Sequence, residues 1–184
     1  MNIDNFIKPS AWVTRFAPLI KAGGKVLDLA SGNGRHSVYM KNLGFDVTAI
    51  DRDHSAFCQD HENIELLETD LENQKSWILE GYRFDGIVIT NYLFRPLFPH
   101  IINSLGKNGV LIYETFCRGN EIFGKPRNPH YLLKSGELFF TFCKDLRVIA
   151  YEEGIFGKRN KSAKQRICAV NGALPPIPTS SAEN

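Results

Sequence analysis

Three carboxylates at the ends of short apolar runs give the first sign of chemistry. Asp28 lies in Val26-Leu27-Asp28-Leu29, Asp51 ends Val47-Thr48-Ala49-Ile50-Asp51, and Asp70 ends Leu66-Leu67-Glu68-Thr69-Asp70. Each run reads as a strand. Between the first two lie the small residues Ala30-Ser31-Gly32-Asn33-Gly34, and residues 35–43 then continue as a helix stopped by Gly44. A strand, a tight turn and a helix bring a ligand close to backbone and offer unpaired amides with partial positive charge to an anionic group. Asp28 beside that turn adds a site for a cation. Asp51 follows the turn by about twenty residues, the distance at which a nucleotide-binding βαβ unit sets an acid against ribose hydroxyls.

Two cofactor classes use such a turn. A dinucleotide would bring its pyrophosphate next to Asp28, and its fingerprint asks for a third small residue where this chain has Ser37. S-Adenosylmethionine brings an amino acid instead, with an ammonium for a carboxylate and a carboxylate for helix amides, and Asp28 suits that ligand. The segment Asp-Leu-Ala-Ser-Gly-Asn-Gly-Arg at 28–35 resembles the first motif of class I S-adenosylmethionine-dependent methyltransferases, with Ala30 in the place of the first of three glycines. The resemblance implies S-adenosylmethionine as cofactor. Its contacts would be Asp28, Ala30, Gly32 and Gly34 at the turn, Asp51 and Arg52 at the ribose, and Asn91 further on. Asp70 would meet the adenine amino group and Leu71 the ring. Read without the family, Asp70 serves equally as a cap for a helix over 72–80.

The elements that must position these residues follow in order. Ser10 can cap a leading helix whose Trp12, Phe16 and Ile20 form one apolar stripe, with Pro18 ending it and Trp12 or Arg15 able to face a substrate. Residues 45–51 and 64–72 read as the second and third strands, with a short helical segment between them. Residues 83–92 read as the fourth, buried on both faces, with Thr90, Asn91 and Tyr92 at the carboxyl end where open parallel sheets bind ligands. Amino-group methyltransferases often carry two prolines after that Asn. Asn91-Tyr92-Leu93-Phe94 has neither, which argues against a DNA or protein-amide enzyme. A helix over 94–105, a turn over 106–109 and a fifth strand over 110–116 come next. Residues 117–134 show no period and carry Phe123, Lys125, Arg127, His130 and Tyr131, the composition of a lid. A helix over 135–142 and two antiparallel strands, 146–152 and 163–170, close the pattern.

These elements predict an α/β fold: a Rossmann-like, doubly wound, mostly parallel seven-stranded sheet with a reversed terminal strand and helices on both faces. Residues 1–171 are expected to form one domain, and 172–184, rich in Pro, Ser and Thr, a disordered tail. Gly-Asn-Gly-Arg after the acid and Lys134-Ser135-Gly136-Glu137-Leu138 look most like small bacterial methyltransferases of the tellurite-resistance type.

A net charge of +2 is too small to argue a nucleic-acid partner, and the basic run 158–166 reads as a solvated loop. Four scattered cysteines form no Cys-x-x-Cys pair, which argues against zinc, and Cys143 and Cys168 sit in apolar runs as small hydrophobes. No signal peptide or membrane-length apolar run is visible, so a cytoplasmic monomer or homodimer is expected. The implied reaction is in-line methyl transfer to a small-molecule acceptor. It needs a base only for some nucleophiles, the candidates being Tyr92, Glu114, His130 and Tyr131. An RNA methyltransferase, a dinucleotide-dependent oxidoreductase and a non-catalytic cofactor-binding regulator are the alternatives.

Overall fold

A computed structural model describes residues 8–57, 62–73 and 77–172. Seven strands form one sheet: β1 (Lys25–Leu29), β2 (Asp46–Asp51), β3 (Ile64–Glu68), β4 (Phe84–Thr90), β5 (Leu105–Phe116), β6 (Arg147–Phe156) and β7 (Ser162–Val170). Their order is β3-β2-β1-β4-β5-β7-β6, with β1 to β5 parallel and β7 antiparallel to both its neighbours. The reversed strand is therefore the last in sequence but lies inside the sheet, and β6 forms the edge. Among the described residues four α-helices accompany it: α1 (Ala11–Phe16), α2 (Arg35–Asn42), α3 (Phe98–Ser104) and α4 (Glu137–Phe142).

Alternation along each strand sends side chains to opposite faces and builds two cores. Leu27, Leu29, Ile87, Ile89, Leu111 and Tyr113 face the layer of α3 and α4, where Phe98, Ile101, Leu138 and Phe142 meet them. Val26, Val47, Val88, Val110 and Ile112 face the other way, under Trp12, Phe16, Val38 and Met40. Ser10 Oγ accepts from the Trp12 N–H at 3.1 Å and starts α1, and Pro18 lies in the short 3-10 turn Ala17–Leu19 that follows. The Trp12 indole donates to the Ile167 carbonyl at 3.1 Å and Arg15 pairs with Glu152 at 3.3 Å, so α1 is tied to β7 and β6.

Four expectations need correction. β3 stops at Glu68, because Asp70 Oδ1 accepts the Glu72 N–H at 2.9 Å and Oδ2 the Asn73 side chain at 2.7 Å, which folds 70–73 into a turn. The described residues among 52–63 and 71–80 are turns and bends rather than helices; 58–61 and 74–76 lie outside the described residues. The turn at 106–109 sits inside β5 as an irregularity: Phe84 pairs with Leu105 but Gly86 with Val110. Cys143 is exposed, while Cys168 is buried. The expected tail beyond Gly172 also lies outside the described residues. Among the described residues no helix is long and apolar enough to cross a membrane.

Candidate functional site

The carboxyl ends of β1, β2, β4 and β5, with the turn after β3, enclose a cavity of about 710 Å³. Sheet order gives it polarity. Asp51, Arg52, Asp70, Leu71, Glu72 and Asn73 bound it beyond β2 and β3, Ala30 beyond β1, and Thr90, Asn91, Tyr92, Leu93 and Phe94 beyond β4. Thr115 and Phe116 of β5, with Pro126 and Tyr131 of the following loop, complete the other side. One side is acidic and the other aromatic.

Two non-glycine residues on this wall take left-handed backbone, Ala30 (φ 58°) and Asn91 (φ 56°), each just past a strand end. Such conformations cost about 1–3 kcal/mol and gather at ligand sites. In the turn, Gly32 (φ 56°) and Gly34 (φ 76°) share that conformation. A Cβ on Gly34 would also run into the Phe57 ring, whereas one on Gly32 would meet nothing within 4 Å, so backbone is open to a ligand there. Asp51 locks the turn to β2: its Oδ2 accepts the Gly32 N–H at 2.8 Å and its Oδ1 the Asp53 N–H at 3.3 Å.

Asp28 is not on this wall. Alternation puts it on the Val26 face beneath α2, 1% exposed, where its Oδ2 accepts from the Ser37 hydroxyl at 2.6 Å. Burial pushes its carboxyl up to about 6, against the lowering effects of the Ser37 bonds and Arg35. Asp28, expected as the ammonium partner, therefore sits behind the turn and bonds to α2 through Ser37. Gly32 and Gly34 shape the turn without lining the cavity.

The candidate bases also divide. Tyr92 and Tyr131 line the cavity; Glu114 and His130 do not. Burial first, then the charges of Glu72, Asp70 and Asp51, raise the Tyr92 phenol well above its ordinary value. Its hydroxyl is buried with no partner in hydrogen-bonding geometry among the described residues, so Glu72 acts on it chiefly as a charge. Glu114, 3% exposed, faces Lys164 at 3.4 Å and Arg166 at 3.1 Å. The basic run is therefore not all solvated, since its β7 half neutralises a buried acid on β5. Lys164 Nζ also donates to Asn91 Oδ1 at 2.6 Å. A lysine only donates, which fixes the amide oxygen towards it and leaves the Asn91 NH₂ as the side chain's remaining donor.

His36, which the motif reading did not single out, lies behind the cavity wall. Its Nε2 accepts the Ser10 N–H at 3.1 Å, so its proton sits on Nδ1, 3.3 Å from Thr90 Oγ1 on the cavity wall. Burial, with Arg35 and Lys164 nearby, lowers the imidazole to about 3. The available signal was its spacing: His36 and Met40 share one buried helix face at i and i+4. Among the described residues no cluster of three or more His, Cys, Asp or Glu could hold a metal ion.

Comparison with known proteins fits this arrangement. The family described as tellurite resistance protein TehB matches residues 10–165. A Haemophilus influenzae (strain 10810) protein named "Probable S-adenosyl-L-methionine-dependent methyltransferase TehB" is 32% identical over 87 residues, 44% of this chain and 30% of that protein. The match thus spans less than a third of that curated relative. The crystal structure of TehB from Haemophilus influenzae superposes with a TM-score of 0.74 at 22% identity, covering 89% of this chain and 62% of that one. A TehB-like SAM-dependent methyltransferase from Corynebacterium glutamicum gives 0.64 at 19% identity, covering 87% and 86%. At these identities the structural likeness establishes a shared fold. Since the family match takes in the leading helix, the turn, the cavity and most of the closing strands, the chain belongs to the family described as tellurite resistance protein TehB.

Proposed function

We propose that the chain transfers a methyl group from S-adenosylmethionine to a small molecule held at the aromatic side of the cavity. The observation that carries this reading is Asp51, on the wall where the end of β2 meets the small-residue turn, with its carboxylate bonded to Gly32. A carboxylate has about four lone-pair sites, so beyond the two amides it holds it can accept from ribose hydroxyls. Asp70 and Leu71 bound the adenine side. Ala30, on the wall at the start of the small-residue turn, receives the amino-acid part. Asp28 acts from behind, by fixing the α2 start through Ser37.

When bound, S-adenosylmethionine supplies an already activated sulfonium methyl. The protein's part is then to align a nucleophile about 3 Å away and to exclude water. Phe94, Phe116 and Tyr131 supply apolar surface for that purpose. Tyr92 stays protonated at neutral pH, so it can donate a hydrogen bond but not take the acceptor's proton. Asn91, with its oxygen held by Lys164, likewise offers a donor. The reading therefore favours an acceptor whose nucleophilic atom arrives as a lone pair needing no base.

Calorimetry with S-adenosylmethionine, S-adenosylhomocysteine and NAD tests the cofactor. Tritiated-methyl transfer into metabolite and RNA fractions tests the acceptor. Label in the metabolite fraction is the expected result; label confined to RNA would replace the small-molecule acceptor, and NAD binding in preference to both sulfur compounds would overturn the reading.

A further inference from the structure

The motif Lys134-Ser135-Gly136-Glu137-Leu138 has no residue on the cavity wall, yet it is densely held. Gln165 Oε1 accepts the Leu138 N–H at 3.0 Å, and its Nε2 donates to the Lys134 carbonyl at 2.6 Å. Glu153 Oε2 accepts the Gly136 N–H at 2.9 Å. These bonds fix the motif to β6 and β7. From this anchored base, Glu137 reaches forward. Its Oε1 accepts from Arg95 Nε at 2.5 Å and its Oε2 from Arg95 Nη2 at 3.0 Å and from the Lys134 N–H at 2.7 Å.

Arg95 follows the β4 wall residues directly. Its remaining donors go to the loop: Nη1 to the His130 carbonyl at 2.7 Å and Nη2 to the Leu132 carbonyl at 3.0 Å. Those carbonyls flank Tyr131 on both sides. Tyr131 is 48% exposed, so burial alone gives it little reason to stay on the wall. The loop's other wall residue is held separately, by Asn120 Nδ2 donating to the Pro126 carbonyl at 3.3 Å. A planar guanidinium can bind a carboxylate bidentately and still serve two carbonyls; an ammonium cannot.

We propose that Arg95 and Glu137 are positioning residues that set the acceptor-side wall of the cavity by clasping the backbone around Tyr131. The proposal rests on the cofactor reading above and adds a selectivity role to it. Asp51, Ala30 and Leu71 lie beyond β1 to β3, away from the clasp, so cofactor affinity should not depend on it. What the clasp controls is how large a group the space beside Phe116 and Tyr131 admits.

The test uses the full chain with R95A, R95K and E137Q, and two measurements. Hydrogen–deuterium exchange over 126–133 reads the clasp, and calorimetry reads S-adenosylhomocysteine, S-adenosylmethionine and an analogue with propargyl in place of the transferred methyl. In R95A, exchange at 130–133 should rise about tenfold, as expected when local bonds are lost without global opening. S-Adenosylhomocysteine affinity should stay within about threefold of wild type, while the preference for methyl over propargyl falls about fivefold or more. R95K should resemble R95A because it cannot reproduce the fork, and E137Q should lie between; if R95A does not fold, E137Q carries the test. Unchanged exchange and preference in a folded variant would overturn the proposal, as would loss of S-adenosylhomocysteine binding in step with the preference, which would make the clasp merely structural. Failure of the wild-type chain to bind any of the three ligands would sink the cofactor reading and with it the selectivity role, while the exchange arm still decides whether the clasp exists.

Discussion

Replacing Asp28 by asparagine separates a carboxylate that supports the fold from one that binds a ligand. The group is fully buried and its carboxyl is raised from 3.8 to about 6. At about 1.4 kcal/mol per pH unit, that rise amounts to ~3 kcal/mol. Its sign is set by proton binding: between these pH values the folded state holds a proton that the unfolded state has released. The contribution is therefore present in full below 3.8 and lost as pH rises through about 6. The substituted amide can keep an oxygen towards the Ser37 hydroxyl but does not titrate, although its NH₂ then needs a partner, at a cost of about 1–3 kcal/mol. Urea unfolding of both proteins from pH 4 to pH 8 isolates the group, because every other titration cancels in the difference. The stability of wild type minus D28N should fall by about 2.4 kcal/mol across that range, part of the contribution being already lost at pH 4, and at pH 7.5 the two should agree to within about 1–3 kcal/mol. S-Adenosylhomocysteine affinity should change little. A pH-independent difference would refute the buried-anion account, and abolished binding with unchanged stability would restore Asp28 to the ligand.

Other outcomes follow from the same geometry. His36 runs opposite to Asp28: its folded value of about 3 lies below the ordinary 6.5, so the stability it contributes is full above 6.5 and drains as pH falls towards 3. In H36Q that part of the acid loss should disappear from pH-dependent thermal melts. Gly34→Ala must hold alanine at φ 76° and displace Phe57, so chemical denaturation should show a loss of about 1–3 kcal/mol or more. Glu114→Gln removes the buried charge that faces Lys164 and Arg166, and its unfolding free energy should drop by about 3 kcal/mol, because Lys164 loses its carboxylate while Arg166 keeps only Glu152 at 3.7 Å.

Sequence was most legible where a local rule and the sheet agreed. The Ala30–Gly34 turn needed small residues in left-handed backbone, and Asp51, last in β2, stands on the cavity wall. Sequence was less legible where position along a strand decides which way a side chain points. Asp28 precedes Leu29, and alternation turns it sideways beneath α2 rather than forward into the cavity. The same alternation in β7 turns Lys164 and Arg166 onto one face, and register sets Arg166 opposite Glu114. That pairing depends on a strand contact between residues far apart in sequence, which no local pattern encodes. Residues 117–134 lacked any period because only two single 3-10 turns, one isolated bridge and side chains such as Arg95 and Asn120 hold them, none of which repeats along the chain. Asp70 passed for a strand end because a turn closed by its own carboxylate looks, in sequence, like a continuing strand.

In the proposed function, Asp51 and the Ala30–Gly34 turn together hold S-adenosylmethionine. Isothermal titration of S-adenosylhomocysteine into wild type and Asp51→Ala tests it most directly. Losing a charged acceptor from buried hydroxyls should weaken binding by about 1–3 kcal/mol, or about 5- to 150-fold, with the fold intact by circular dichroism. Equal affinity in the two proteins would contradict it.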